Sequence, residues 1–428
     1  MSRGLSRPDP TLGRLGTSTV LALVAFLVLF PKGGIKVGGV PLTWGYLILA
    51  LSTVPFLVQL AFGSRLRVAN TRLFAIYALV PFQLVVWATL LVHGVNGMGF
   101  AVSLIVSFFF IPIAFLLALG VYLDRMDLVP LFKLLRWSIF LVAAYGIFLF
   151  IYRLKAGSFI EIPYLTVNAG DVGGLENKYI DRGGIFKLIS TYNNGNIYGV
   201  SILLLLPLYG WLERRKSCQA IVKGSLLLTL SRTVWVGLIL YEVLQRVYVK
   251  RISARALTVL LLALLLLGGG IAYAMTLIGR DTSFLFDRNL GGRLGQLDAL
   301  QRAGLVGSGR FEAIYEIVYL SVMESFGLVG LATFLLAMTL PIALHVFRVV
   351  PFADTVYKRN LAAALMTYLV VAMSDGALLF IPVMAFYWFV VSLLLSGNGS
   401  FARQEGMTSA DESVQDSGWI LASDRSRT

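Results

Sequence analysis

One cysteine, Cys218, and two histidines, His93 and His345, leave this chain little of the usual machinery for metal or thiol chemistry. A lone thiol closes no disulfide within the chain, and no His/Cys cluster has the spacing of a metal site. No Asp-x-Asp pair offers a divalent-cation site, and no Gly-x-Ser-x-Gly marks a hydrolase nucleophile. Gly307-Ser308-Gly309 is too short for a nucleotide loop. Charge is scarce too. Only 14% of the residues are Asp, Glu, Lys or Arg, where a soluble domain carries about a quarter. Acid is the scarcer sign, 22 residues against 36 basic ones, for a net charge of +14. No repeat of the kind that builds solenoids or symmetric transporters is visible.

What is abundant is apolar residue, 58% of the 428 positions, with a mean hydropathy of +0.82. These residues fall in blocks of roughly 17–25, the length a bilayer core demands of a helix. The blocks are continuously apolar rather than alternating, so helices and not a barrel are expected. The expected architecture is an all-α polytopic membrane protein of about 12 transmembrane helices with two extended periplasmic loops. The spans are placed at 17–31, 40–62, 73–92, 98–123, 134–152, 196–212, 217–230, 234–246, 256–278, 326–347, 359–374 and 377–396. They form one helical domain over 1–396, with long polar loops at 153–195 and 279–312. The Ser/Asp/Glu-rich segment 397–428 is expected to be a disordered cytoplasmic tail. Arg3, Arg7 and Arg14 precede the first apolar run as in a secretory signal. No small-residue cleavage site follows Leu29-Phe30-Pro31-Lys32, so that run is expected to stay as the first helix.

Basic residues mark the connections that stay in the cytoplasm. Arg65/Arg67/Arg72, Arg125/Lys133/Arg136, Arg214/Arg215/Lys216/Lys223, Arg246/Lys250/Arg251/Arg255 and Arg348/Lys358/Arg359 alternate with connections almost free of charge. The pattern predicts a multi-pass protein with both termini cytoplasmic, and assigns the positive charge to membrane topology rather than to nucleic acid. It also divides 217–246 into two short helices meeting near Ser231-Arg232-Thr233, because one long helix would carry Arg246–Arg255 to the far side.

Two loops depart from the rule. Both are expected outside, yet the first carries Arg153, Lys155, Lys178, Arg182 and Lys187, and the second Arg280, Arg288, Arg293, Arg302 and Arg310. Pairing with Asp281, Asp287, Asp298 and Glu312, or attraction to anionic headgroups, accounts for any one of them. As a set, with Arg232 at a helix break, they have the makings of a diphosphate clamp, since guanidinium forks match phosphate oxygens at any working pH.

Three segments, taken in order, resemble the O-antigen polymerase/O-antigen ligase superfamily of membrane glycosyltransferases. They are Arg182-Gly183-Gly184-Ile185-Phe186 followed by Asn193-Asn194-Gly195-Asn196-Ile197-Tyr198-Gly199; Leu230-Ser231-Arg232-Thr233; and Arg293, Gly304-Leu305-Val306-Gly307-Ser308-Gly309, Glu316-Ile317-Val318-Tyr319 and Gly327-Leu328-Val329-Gly330. Many ligase-type members place a His-Asn pair before the Tyr of the last segment. Here Glu316-Ile317 stands there, which tilts the resemblance toward a polymerase of polysaccharide repeat units. It implies a polyprenyl-diphosphate-linked oligosaccharide as substrate, the bacterial inner membrane as location, and flippase and chain-length-regulator proteins as partners. It implies a glycosyl transfer that needs no metal or other cofactor. Arg232 and Arg293 are the expected catalytic arginines, acting on charge that grows on the leaving diphosphate. Arg182, Arg288 and Arg310, with Asn196 and Tyr319, are expected to bind substrate. Glu316 is the expected general base, or equally an ion-pair partner of Arg310. Asn196 is expected to cap its helix. Glu324 and Asp375 are acidic residues close to apolar runs, which is itself a functional hint. A ligase, a transporter or flippase, and a non-catalytic export subunit remain the alternatives.

The topology has a direct check. In a Cys218→Ala background, Ser158→Cys should react with an impermeant thiol reagent added to intact spheroplasts, and Ser253→Cys should not. Outside labelling of Ser253→Cys would overturn the two-helix reading of 217–246.

Overall fold

A computed structural model of the chain describes residues 10–37, 40–61, 68–94, 98–175, 181–182, 185–251, 294–307, 316–349 and 355–396. The expected span 256–278 and the tail 397–428 lie outside these residues. The described chain is mostly helical. In order, the helices are α1 (Pro10–Leu29), α2 (Trp44–Ala61), α3 (Asn70–His93), α4 (98–125), α5 (Leu128–Ala156), α6 (Gly195–Leu212), α7 (Lys216–Leu227), α8 (Arg232–Leu244), α9 (Val318–Val346), α10 (Val356–Val371) and α11 (Ile381–Leu394). Two small antiparallel hairpins stand between helices: β1 (Gly34–Val37) with β2 (Val40–Thr43), and β3 (Asp181–Arg182) with β4 (Ile185–Phe186).

Among the described residues, five helical segments are long and apolar enough to cross a bilayer: Asn70–His93, Val102–Arg125, Leu128–Ala156, Gly195–Leu212 and Val318–Val346. Their surfaces sort them. Leu84 and Leu91 on α3, Leu141 and Phe148 on α5, and Leu47 and Leu51 on α2 are exposed apolar residues at one-turn or two-turn spacing, which gives each helix an outward apolar stripe. By contrast, α6 and α11 are buried nearly all round, and Tyr387 and Trp388 of α11 are inaccessible. These two helices form the centre and the others pack around them.

Internal irregularities are repaired locally. Pro112 lacks an N–H and leaves the carbonyl of Phe108 without its helical donor. The helix answers with π turns at Val106–Phe110 and Ala114–Leu119, and the side-chain amide of Gln83 donates to that carbonyl. In α9 the helix breaks at Gly327, whose φ of 76° suits glycine. The span expected at 326–347 therefore starts one helical stretch earlier, at Val318. Likewise, α5 runs on to Ala156, so Arg153 and Lys155 end a helix instead of opening a loop. Basic residues are favourable in that last turn. Arg153 also stacks over the rings of Phe159 and Phe186, at 4.6 and 4.5 Å from their centroids.

The segment 217–246 is broken where the charge pattern required. Helices α7 and α8 are separated by Leu228–Ser231, with Leu230 in the left-handed region at φ 51°. The Lys223 ammonium donates to Glu242 at 2.5 Å and the Trp235 indole to the Leu227 carbonyl at 3.0 Å, so the two arms lie together. With 12 residues, α7 rises about 18 Å, short of the roughly 30 Å hydrocarbon core.

One end of the bundle holds a buried ionic cluster. Arg72, fully inaccessible, grips Asp124 with two bonds of 2.6 and 3.0 Å and donates to the Ser392 carbonyl. The Lys358 ammonium donates to the carbonyls of Leu393, Leu394 and Ser396 at 2.6–2.8 Å. The Leu393 carbonyl also accepts from the Ser396 N–H at 3.3 Å, and the cations add charged donors to the carbonyls that end α11 and follow it, where the helix dipole favours positive charge. Asp124→Ala removes the counter-charge of an inaccessible arginine and should cost about 3–5 kcal/mol, read as a lower thermal midpoint of the purified protein. An unchanged midpoint would mean the pair contributes nothing.

Candidate functional site

At the opposite end, three helix N-termini and one helix C-terminus meet. The meeting point is the turn after α10, Ala372-Met373-Ser374-Asp375-Gly376. Asn196, in the first turn of α6, donates through Nδ2 to Asp375 Oδ2 at 2.6 Å. Thr233, in the first turn of α8, has its Oγ1 2.9 Å from Ser374 Oγ. Next to α9, the Gly376 N–H donates to the Glu316 carbonyl at 3.4 Å, and the Val318 N–H donates to the Ala372 carbonyl at 3.2 Å. Lys32, just past α1, lies 4.2 Å over the ring of Phe380 on the other side of the same connection.

The local reasons are legible. Asn194, not Asn196, is the N-cap of α6: its Oδ1 accepts from the N–H groups of Asn196 and Ile197 at 2.8 and 3.3 Å. This corrects the capping role expected of Asn196. Two positions past the cap, the Asn196 amide is released to reach across to the turn after α10. The preceding residues climb over the apex of the α7–α8 hairpin, where the Leu188 N–H donates to the Leu228 carbonyl at 3.0 Å. A Cβ on Gly195 would stand 2.8 Å from the Leu188 carbonyl oxygen, closer than real side chains come, so glycine is needed there.

The segment 294–307 folds back onto this end. The Gln296 side-chain carbonyl accepts from the Ile317 N–H at 3.2 Å, just ahead of α9. The Leu328 and Val329 N–H groups donate to the carbonyls of Gly304 and Leu305 at 2.9 and 3.3 Å. The break at Gly327 frees those donors, and the loop supplies the acceptors. Gly307 presses against the Ser325 carbonyl so closely that no Cβ fits. Arg302 donates through Nε to Glu324 Oε1 at 2.9 Å, and the Glu324 side chain is buried. Glycines at 304, 307 and 327, noted in the sequence only as a pattern, are thus the seat of a loop on a broken helix.

Four of the eight sequence-selected residues come to this one end around the α10 turn. Asn196 binds Asp375. Arg232 is half-buried at the first position of α8, and among the described residues it makes no hydrogen bond or ion pair. Glu316 is exposed, with its backbone bonded to Gly376. Tyr319 follows on α9, but its hydroxyl donates to the Leu369 carbonyl and its ring meets Phe334 edge-on, so its visible task is to join α9 to α10. The backbone of Arg182 forms the β3–β4 hairpin. Arg288, Arg293 and Arg310 lie outside the described residues. Asp375 gained its importance only in three dimensions: the sequence showed an acid beside glycine, and the pairing with Asn196 spans 179 positions. Among the described residues, no three His, Cys, Asp or Glu side chains gather as a metal site would require.

The apolar helices and their exposed apolar stripes make this a helical membrane protein with a polar, multi-helix junction at one end. No protein-family model matches the chain, and the curated proteins hold no match to it.

The seating of the loop is testable. Gly307→Ala should lift segment 294–307 from the α9 break and speed tryptic cleavage after Arg302, whose side chain is already half-exposed. Gly295→Ala adds a methyl into open space and should leave cleavage unchanged. Equal rates for the two variants would show that the loop is not held there.

Proposed function

We propose that this chain is a metal-independent membrane glycosyltransferase of the bacterial inner membrane. It would polymerise polyprenyl-diphosphate-linked oligosaccharide repeat units at the periplasmic face. In this reading about 12 spans place both termini in the cytoplasm, the Asp375 junction faces the periplasm, and the Arg72–Asp124 cluster faces the cytoplasm. The α7–α8 hairpin then returns Arg246–Arg255 to the cytoplasmic side.

The observation that carries the proposal is Arg232. A half-buried arginine with no bonded partner among the described residues stands at the N-terminus of α8, beside the N-termini of α6 and α9. Helix N-termini carry partial positive charge and uncommitted N–H groups. A guanidinium left unpaired in such surroundings suits an anion that arrives and departs. A diphosphate joined to a lipid would enter from the bilayer at this depth, with its sugars among the polar loops.

The chemistry would run as follows. A hydroxyl oxygen of the acceptor sugar bonds to the anomeric carbon of the donor while the bond from that carbon to the diphosphate oxygen breaks. The bonding pair leaves on the diphosphate, where Arg232 and Arg293 stabilise the growing charge. The hydroxyl proton passes to Glu316. Asp375, oriented by Asn196, would hold an acceptor hydroxyl beside it. A ligase that moves finished glycan onto a lipid core would use the same steps with another acceptor. In a deletion strain, single repeats without long chains identify the polymerase, and free long polymer identifies the ligase.

The direct test is whether purified protein lengthens lipid-linked oligosaccharide with no gradient or nucleotide present. Arg232→Ala and Arg293→Ala should each slow it by roughly a hundredfold, the cost of one charge-assisted contact to a leaving group. Arg232→Lys should recover only part, because an ammonium keeps the charge and loses the fork. Lys216→Ala, on the exposed start of α7, should change nothing. Wild-type chain length from well-expressed Arg232→Ala protein would end this mechanism.

A further inference from the structure

A short turn after α5 sits at the Asp375 end of the bundle. It runs Ile162-Pro163-Tyr164-Leu165-Thr166 and is closed on itself. The Leu165 and Thr166 N–H groups donate to the Ile162 carbonyl at 3.1 and 2.9 Å, and the Ile162 N–H donates to Thr166 Oγ1 at 2.8 Å. Pro163 has no N–H to satisfy. The Trp44 indole, at the start of α2, donates to the Tyr164 carbonyl at 2.6 Å. Gly33 meets the carbonyls of Tyr164 and Leu165 so closely that no Cβ fits there. Tyr164 is held at φ 66°, a left-handed conformation that is costly for a bulky residue. Such strain persists only where the surroundings over-determine it, as the bonds of this turn do.

What the turn displays is apolar. Ile162, Tyr164 and Leu165 are exposed, and so are Ile35 and Leu42, which face each other across the β1–β2 hairpin. Gly34 of that hairpin bridges to Asn168, so hairpin and turn are neighbours. Aliphatic side chains left in water lose the gain that burial would bring them. A sugar site would set polar groups beside the ring, but Glu161 commits its carboxylate to the N–H groups of Gly173 and Leu175. Two helices set the depth of the turn. Trp44 stands one turn before Leu47, from which the exposed apolar stripe of α2 continues through Leu51 and Val54. The 29 residues of α5 rise about 43 Å, more than the roughly 30 Å hydrocarbon core, and end with Arg153 and Lys155 in the last turn. Basic residues in that position reach the headgroups, and the turn follows at that level.

We infer that this turn and the β1–β2 hairpin form an anchor seated in the headgroup region of the leaflet at the Asp375 end, with Ile162, Leu165, Ile35 and Leu42 entering the top of the acyl chains. Irregular backbone enters an apolar environment only when its polar groups are bonded within the protein, and the bonds that close the turn meet that condition. Tyr164 and Trp44 are of the residue types that collect at this boundary. The anchor also bears on the junction. Asn193 Nδ2 donates to the Thr166 carbonyl at 3.0 Å, and the next residue, Asn194, caps α6. The level at which the turn rests is thereby passed to the helix whose Asn196 holds Asp375. The inference rests on the chain being a membrane protein and not on the reaction proposed for it.

The test uses full-length Cys218→Ala protein in phosphatidylcholine vesicles. A polarity-sensitive fluorophore is attached at Ile162→Cys, Leu165→Cys or Leu42→Cys, with Leu141→Cys, midway along α5, as the reference; all four positions are exposed. Three quenchers are compared: phosphatidylcholine bearing a nitroxide just below the headgroup, the same lipid bearing it near the chain end, and iodide on both sides of the membrane. The three anchor positions should lose most of their emission to the shallow nitroxide and little to iodide. Leu141→Cys should lose most to the deep nitroxide. Each anchor position reports by itself, so a variant that fails to fold leaves the other two to decide. Strong quenching by iodide with none by the shallow nitroxide overturns the inference. Quenching by neither overturns it as well, since the labels would then be covered by protein rather than lipid.

Discussion

Polar groups carried into an apolar bundle must find their partners inside the protein, because lipid offers none. Three places where a described helix breaks or ends show this constraint at work. The carbonyl orphaned by Pro112 is taken by Gln83. The last carbonyls of α11 are taken by Lys358 and Arg72, and Arg72 is in turn balanced by Asp124. The donors freed at Gly327 are taken by the carbonyls of Gly304 and Leu305. At these three places the chain is tied to another segment, and those ties join the helices.

The two ends of the bundle meet the constraint differently. At the Arg72 end, charge is buried and bonded to charge or to helix carbonyls, an arrangement that stabilises and leaves little for chemistry. At the Asp375 end, short side chains bridge helices through single bonds, Asn196 to Asp375 and Thr233 to Ser374, and Arg232 stands among them with no bond of its own within the described residues. An unspent guanidinium beside three helix N-termini is the difference that the proposed diphosphate chemistry uses.

The long loop 294–307 shows how a glycine pattern becomes a structure. Its glycines permit two backbones to touch, Gly307 against Ser325 and Gly327 against Leu305 and Val306, so the loop is laid onto the broken start of α9 rather than projecting. This contact brings Gln296 to Ile317 and Arg302 to Glu324. It also explains why Glu324, an acid close to an apolar run, is buried without disrupting the helix.

The sequence by itself determined the class of protein. Hydropathy in bilayer-length blocks required apolar helices, and the alternation of basic connections required a break near Arg232 that hydropathy alone left ambiguous. It also brought Asn196, Arg232 and Glu316 into view, because each sits where an apolar run starts or is interrupted. Tertiary structure decided the rest. The capping of α6 went to Asn194, since the chain enters that helix over the α7–α8 apex and leaves the next asparagine free to reach Asp375. Tyr319 went to packing because its hydroxyl meets a carbonyl of α10. The pairs Asn196–Asp375, Thr233–Ser374 and Arg72–Asp124 join residues 179, 141 and 52 positions apart. Periodicity and charge counting act over a few turns of one helix, whereas pairs at such separations are chosen only when helices pack.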